Sequence, residues 1–259
     1  MKIGIFFKEK NIDIAELVKK EANKYGFELD DINPDIVFSV GGDGTFLKAV
    51  HKYIDKLDKI TFIGINSGSL GFFYEFSKEE IASTMKRISE KKYSIREHRL
   101  LKGLIDHNDK QDIIYALNEI RIENPFHTLI SEVFINNEML ETFRGNGLVV
   151  SSSVGSSAYN KSLGGALIDN EIEALELTEV AGIENRVYHS LGSSLIIKGD
   201  KKVVFSGKLG NAVVGYDSLN CSDISNLEKV EISYSDKKVK IIYSENHTYV
   251  QKIRKSFDL

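Results

Sequence analysis

Residues 35–57 hold the feature that most restricts the fold. The apolar run Asp35-Ile36-Val37-Phe38-Ser39-Val40 passes at once into Gly41-Gly42-Asp43-Gly44-Thr45, and a helical pattern follows through Phe46, Leu47, Val50 and Ile54. A buried strand that hands over to a helix through a glycine turn belongs to a parallel sheet with helices on its faces. The surroundings repeat that alternation. Residues 2–8 read as a short strand, and 61–65 as another. Residues 13–25 place Ile14, Leu17, Val18 and Ala22 at helical spacing before Gly26. Residues 77–92 open on Ser77-Lys78-Glu79-Glu80, a capping-box pattern, and continue as an amphipathic helix.

From Tyr93 the rhythm changes. Residues 113–122, 129–135 and 148–152 are strand-like, Asn136-Asn137 and Asp236-Lys237-Lys238 look like hairpin tips, and only 156–167 and 174–181 suggest helix. The expected fold is an α/β N-terminal domain followed by a mostly antiparallel β C-terminal domain. Residues 249–257 form an amphipathic tail suited to packing on a surface.

Composition narrows the class. Hydrophobic residues at 42% and charged residues at 28% are ordinary globular values, which excludes disorder as the main state. A formal net charge of −4 supplies no basic field for nucleic acid or an anionic membrane as principal partner. The N-terminal apolar stretch ends at Lys8-Glu9-Lys10, too soon for a signal-peptide core. Cys221, the single cysteine, cannot form an internal disulfide. A cytoplasmic protein is expected.

The glycine turn suggests phosphate chemistry. Gly41, Gly42 and Gly44 let the backbone approach a ligand closely, and the amides of Gly41, Gly42, Gly44 and Thr45, with the helix start behind them, can face a phosphate. An acidic residue is an odd choice in a turn whose only task is to bind an anion. Asp43 fits better as a group that polarises a hydroxyl or helps to hold a magnesium ion. The plainer alternative is a tight turn in which Asp43 caps the helix. Two commoner phosphate motifs are absent: Leu47 stands where the dinucleotide fingerprint needs glycine, and no Gly-Lys-Ser/Thr occurs.

Other segments join it. The loop Asn66-Ser67-Gly68-Ser69-Leu70-Gly71-Phe72 follows the third strand, where ligands of open parallel sheets sit. Asn118-Glu119 interrupts an apolar strand. Adjacent strand residues face opposite ways, so one of the two points inward and needs a partner. Asn can pair with a base edge, and a carboxylate can accept the hydroxyls of a ribose. The run Gly155-Ser156-Ser157-Ala158-Tyr159 gives room and hydrogen bonds for a flat aromatic ligand. The six histidines are scattered without metal-ligand spacing.

Together, Gly41-Gly42-Asp43-Gly44-Thr45, Asn66-x-Gly68-x-Leu70-Gly71-Phe72, Leu117-Asn118-Glu119 and Gly155-Ser156-x-Ala158-Tyr159-Asn160-x-Ser162-Leu163-Gly164-Gly165-Ala166 resemble the bacterial NAD kinases in order and spacing. Leu177-Thr178-Glu179 and Asn185-Arg186-Val187 extend the match. The glycine-aspartate turn alone is shared with lipid kinases and phosphofructokinases. The resemblance implies a domain at residues 1–94, joined by the returning segment 247–259, and a β-rich NAD-binding domain at 95–246. It implies ATP or another phosphoryl donor and NAD as substrates, a divalent cation such as Mg²⁺, and a homotetramer or homodimer with NAD bound between the domains.

On this resemblance Asp43 activates the adenosine 2′-hydroxyl of NAD. Asn118 and Ser157 hold the adenine with Ala158 and Tyr159, Glu119 binds ribose hydroxyls, and Ser162 belongs to the same NAD-binding set. Asp217 resembles an acidic residue near that cleft, and Tyr188 one that reaches the partner subunit's site. Asn146 stands where the family usually has Asp, at the nicotinamide end, and Ser152-Ser153-Val154 and Gly155-Ser156-Ser157 replace the usual threonine-rich stretch. Two rivals remain at this stage: a lipid or sugar kinase of the same superfamily, and a nucleotide sensor without turnover.

Overall fold

The computed structural model describes residues 1–68, 71–221, 226–244 and 248–259. Ser69 and Leu70 of the expected loop lie outside the described residues. The chain divides into two compact units, Met1–His98 with Lys237–Leu259, and Arg99–Asp236.

In the first unit four parallel strands lie in the order Glu28–Leu29, Lys2–Phe7, Ile36–Gly41, Thr61–Asn66, and the end of the long strand Leu227–Tyr243 adds a fifth beside Thr61 and Phe62. Side chains alternate along each strand, so the sheet has two apolar faces. On one face Ile3, Ile5, Ile36, Phe38, Val40, Ile63 and Ile65 pack against Ile14, Val18 and Ala22 of the helix Ile12–Lys24 and Ile81, Met85 and Ile88 of the helix Ile81–Ser89. On the other, Phe46 of the helix Asp43–Lys52 meets the Phe62 ring at 5.8 Å. The capping pattern at residue 77 is realised: the Ser77 amide donates to Glu80 Oε2 at 2.8 Å.

In the second unit two antiparallel sheets enclose one core. The first runs from the early part of Leu227–Tyr243 through Val203–Gly210 and Leu129–Ile135 to Glu138–Gly145. The second has the order Leu195–Lys198, Ala174–Val180, Gly147–Ser152, Glu119–Glu123, Val213–Tyr216, Leu219–Cys221. Val133, Phe143, Phe205 and Val230 from one sheet and Ile120, Ile122, Val150 and Leu177 from the other are buried together.

Three sequence expectations fail for tertiary reasons. Residues 174–181 suggest helix through Ala, Leu and Glu, yet Ala174–Val180 is a strand hydrogen-bonded on both edges. Asp236-Lys237-Lys238 is no hairpin tip but lies inside the strand Leu227–Tyr243. There Lys237 Nζ donates to the Ile54 carbonyl at 3.1 Å and Lys238 pairs with Glu97 at 2.8 Å. The helical stretch at 156–167 shrinks to one turn, Tyr159–Ser162, after a 3₁₀ turn, Val154–Ser157. Asn136, with φ of 55°, does turn the hairpin between Leu129–Ile135 and Glu138–Gly145.

Candidate active site

The glycine turn is built as the sequence suggests, with one addition. Gly41 ends its strand against Thr45, so a Cβ there would lie 2.7 Å from Thr45 Oγ1. Gly42 is the N-cap, and Asp43 opens the helix Asp43–Lys52. The Thr45 and Phe46 amides close the first turn onto the Gly42 carbonyl, at 2.6 and 3.3 Å. Gly44 faces open space, with no atom within 4 Å of where a Cβ would stand. The opening amides of a helix have no intrahelical acceptor and carry its partial positive charge.

The addition is the seat of Asp43. Its Oδ2 accepts the Phe72 amide at 3.0 Å and its Oδ1 the Phe73 amide at 3.1 Å. Gly71 leaves room for this, since a Cβ on it would stand 2.8 Å from Asp43 Cγ. The segment is anchored from below. Gly64 lets the Phe73 backbone press on the sheet, and the Phe73 ring stacks on Phe46 at 4.7 Å. Tyr74 Oη donates to the Gly42 carbonyl at 2.8 Å, and burial keeps that hydroxyl protonated by raising its pKa. Burial raises the Asp43 pKa, while the two amides and the charge of Lys252 oppose the rise. A half-buried carboxylate, oriented by two donors at a helix start, is equipped to accept a proton.

In the second unit the corner at residues 117–119 is held by residues distant in sequence. Asp217, left-handed with φ of 49°, accepts the Leu117 amide at 3.0 Å and the Asn118 amide at 2.7 Å. Ser152 Oγ donates to the Leu117 carbonyl at 2.6 Å, and the Ser152 amide to the Asn118 carbonyl at 2.8 Å. Gly155 packs on the Asn118 backbone so closely that a Cβ would lie 2.6 Å from Asn118 Cα. The Asn118-Glu119 pair is thereby locked to the turn that carries Ser157 and Ala158. Asn118 Oδ1 and Glu119 Oε2 are both buried without a protein hydrogen-bond partner. Such acceptors are expensive to leave unmet. Burial, then the charge of Asp217, pushes Glu119 up to about 8 against the pull of Arg121. Tyr159 Oη donates to Glu123 at 2.7 Å, and the Arg121 guanidinium lies over its ring at 5.2 Å.

Residues 5–93 match the family model described as the ATP-NAD kinase N-terminal domain, and residues 117–244 match the ATP-NAD kinase C-terminal domain. The chain belongs to the NAD kinase family. It is 38% identical over 255 residues to an NAD kinase of Streptococcus gordonii, covering 95% of this chain and 91% of the relative. An NAD kinase of Streptococcus pyogenes is 38% identical over 234 residues, covering 89% of this chain and 84% of the relative. Among solved structures, a yeast NADH kinase complexed with NADH has the same fold, with a TM-score of 0.85 at 16% identity over 100% of this chain and 88% of that one. An NAD kinase from Archaeoglobus fulgidus in complex with ATP gives 0.79 at 20% identity, over 100% and 98%.

The remaining expected residues of this NAD kinase family member are placed as follows. Asp217 accepts one backbone amide at each carboxylate oxygen and so orients the 117–119 corner. Asn146 is exposed, and its Nδ2 donates to the Asn124 carbonyl at 3.2 Å. Ser162 is exposed at the end of its short helix. Tyr188, 39% exposed, lies under the Arg144 guanidinium at 4.4 Å. Among the described residues no group of three His, Cys, Asp or Glu is placed to hold a metal ion, and no helix is long and apolar enough to cross a membrane. Sequence reading missed Tyr74, Glu75 and Lys252 near Asp43. The only signal was a lone acid, Glu75, inside the aromatic run at 72–76, and one lysine on an amphipathic tail.

Proposed function

We infer that this chain transfers the terminal phosphoryl group of ATP to the adenosine 2′-hydroxyl of NAD, giving NADP and ADP. The observation that carries the chemistry is the seat of Asp43, a carboxylate fixed by the Phe72 and Phe73 amides at the start of a helix. The hydroxyl oxygen attacks the terminal phosphorus in line, a new O–P bond forms, and the bond to the bridging oxygen of ADP breaks. Asp43 takes the proton that the hydroxyl gives up. The opening amides at Gly42 to Gly44 stabilise charge on the phosphoryl oxygens. A divalent cation bound to the triphosphate substrate would neutralise charge there. Asn118, Glu119, Ser157, Ala158 and Tyr159 hold the adenosine end, and the two unmet acceptors at Asn118 and Glu119 support that assignment.

The same reading extends to a cytoplasmic homotetramer or homodimer. Val187 and Tyr188, 75% and 39% exposed, are the residues offered to a second copy, with Asn146 at the nicotinamide end of the site and Ser162 in the NAD-binding set. Light scattering of the full chain tests the assembly. A coupled assay with NAD, ATP and Mg²⁺, read as NADP formed, tests the reaction. The wild-type chain produces NADP, and Asp43→Asn loses about 10²–10⁴-fold in kcat while it keeps its fold and its NAD affinity. NAD binding without NADP formation by the wild type refutes the enzyme reading, and full turnover by the variant removes Asp43 from the chemistry.

A further inference from the structure

The first unit contains a buried ion pair that the reaction as derived so far does not use. The helix Tyr249–Phe257 begins at Thr248, whose Oγ1 accepts the Gln251 amide at 3.2 Å while Gln251 Oε1 accepts the Thr248 amide at 2.9 Å. That reciprocal cap fixes where the first turn stands, and so where Lys252 points. Lys252, its side chain 10% exposed, is ion-paired with Glu75, whose side chain is fully buried. Its ammonium also lies 3.4 Å from the Phe72 carbonyl and 4.3 Å above the Tyr243 ring. Phe257 of the same helix reaches the Phe72 ring at 5.9 Å. Phe72 therefore meets Lys252 at its carbonyl and Asp43 at its amide.

A buried ion pair is a weak source of stability, because desolvation of both charges offsets their attraction and an apolar pair of similar volume serves the fold as well. The charge of Lys252 calls for another explanation, and Asp43 is the group it acts on. We propose that Lys252 is a positioning residue for Asp43: from the C-terminal helix it fixes the turn at residues 71–73 and favours the ionised, proton-accepting form of the carboxylate. The proposal rests on Asp43 as the proton acceptor. The charge environment agrees with it. Lys252 opposes the rise that burial imposes on Asp43. Burial lowers the pKa of Lys252, chiefly against the support of Glu75. The other groups around it are Arg96, whose guanidinium lies 4.8 Å over the Tyr243 ring; His98, lowered to about 4 by burial and bonded to Tyr243 at 2.9 Å; and the hydroxyls of Tyr243 and Tyr74, both kept neutral by burial.

The test is the pH profile of NADP formation by the full chain, with Lys252→Met, Lys252→Arg and the double variant Lys252→Met/Glu75→Gln beside the wild type. The double variant removes both charges at similar volume and so avoids a lone buried carboxylate if the single one fails to fold. Loss of the cation moves the acid limb of kcat up by about one pH unit in both methionine variants. At the wild type's own midpoint kcat then falls about fivefold. Lys252→Arg stays near the wild-type limb, and KM for NAD stays within about twofold in all, since adenosine contacts are not touched. Ionisations of the substrates are common to every variant and cancel. A folded double variant whose acid limb coincides with that of the wild type overturns the proposal, as does a loss of kcat with the limb in place. Asp43→Asn in the same assay separates the two claims. If it retains turnover, the reading of Asp43 fails. If it is inactive and the limb does not move, only the role of Lys252 fails.

Discussion

Replacing Gly71 with alanine puts a methyl carbon 2.8 Å from Asp43 Cγ and 3.0 Å from its Oδ2, with Oδ1 nearer still. Ordinary contact begins near 3.4 Å, so the carboxyl carbon must retreat by about 0.6 Å and Oδ1 by more. The loop cannot yield instead without the same result. Phe73 is pressed on the sheet at Gly64 and stacked on Phe46, so any outward movement of the loop carries the two amides away from the carboxylate. Bonds of 3.0 and 3.1 Å lengthened by that amount leave the hydrogen-bonding range. A displacement approaching 1 Å at a reacting group costs about 10²-fold in rate. In steady-state NADP formation Gly71→Ala therefore loses about 10²-fold in kcat, while KM for NAD changes little because the 117–119 corner and its supports are untouched. Its melting temperature falls, since hydrogen bonds to a charged group contribute about 1.5–3 kcal/mol. A folded Gly71→Ala chain with kcat within about threefold of wild type refutes this account of the seat.

Gly44 gives the complementary case, with open space where a methyl would stand. Gly44→Ala is expected to be as stable as wild type or more so, by up to about 1 kcal/mol, yet to raise KM for ATP, because the methyl group occupies the phosphate's approach. Unchanged kinetics would remove Gly44 from the donor site. Glu119 yields a pH prediction. Its folded-state pKa of about 8 lies above the ordinary 4.5, so between those values the folded chain holds a proton that the unfolded chain has released. Its contribution to stability is present at low pH, declines as pH rises through that window and is gone above it. Glu119→Gln removes the decline, so the melting temperature of the variant falls less between pH 5 and pH 8 than that of the wild type; parallel curves would contradict the buried placement.

The sequence made local features legible and left tertiary ones hidden. Gly41 to Thr45 between a strand and a helix is a local pattern, and both the strand Ile36–Gly41 and the helix Asp43–Lys52 follow from it. The same holds for the hairpin at Asn136. Ala174–Val180 misled because its residues favour helix in isolation, and only pairing on both edges decides otherwise. The glycines of the site show the limit most clearly. Gly64, Gly71 and Gly155 look like ordinary loop or strand glycines in the sequence, and each proves to be a point where another segment presses too closely for a side chain. Which atom lies there is a long-range fact. So is the partnership of Lys252 with Glu75, and so is Asp217, whose distance in sequence from Asn118 conceals that it holds the Asn118 amide.

An acid in an anion-binding turn looked like a contradiction in the sequence, and the geometry removes it. Asp43 does not draw on the amides that open its own helix. It takes its two donors from Phe72 and Phe73, a separate segment, and so does not compete with a phosphate for the helix start. The partial positive charge of a helix start favours a carboxylate and a phosphate alike. Burial raises the pKa of Asp43, which makes it a better proton acceptor once ionised, while the two amides and the charge of Lys252 oppose the rise. A general base works best when its pKa lies near the operating pH rather than far below it. The balance between burial on one side and two amides and one cation on the other is what tunes this carboxylate.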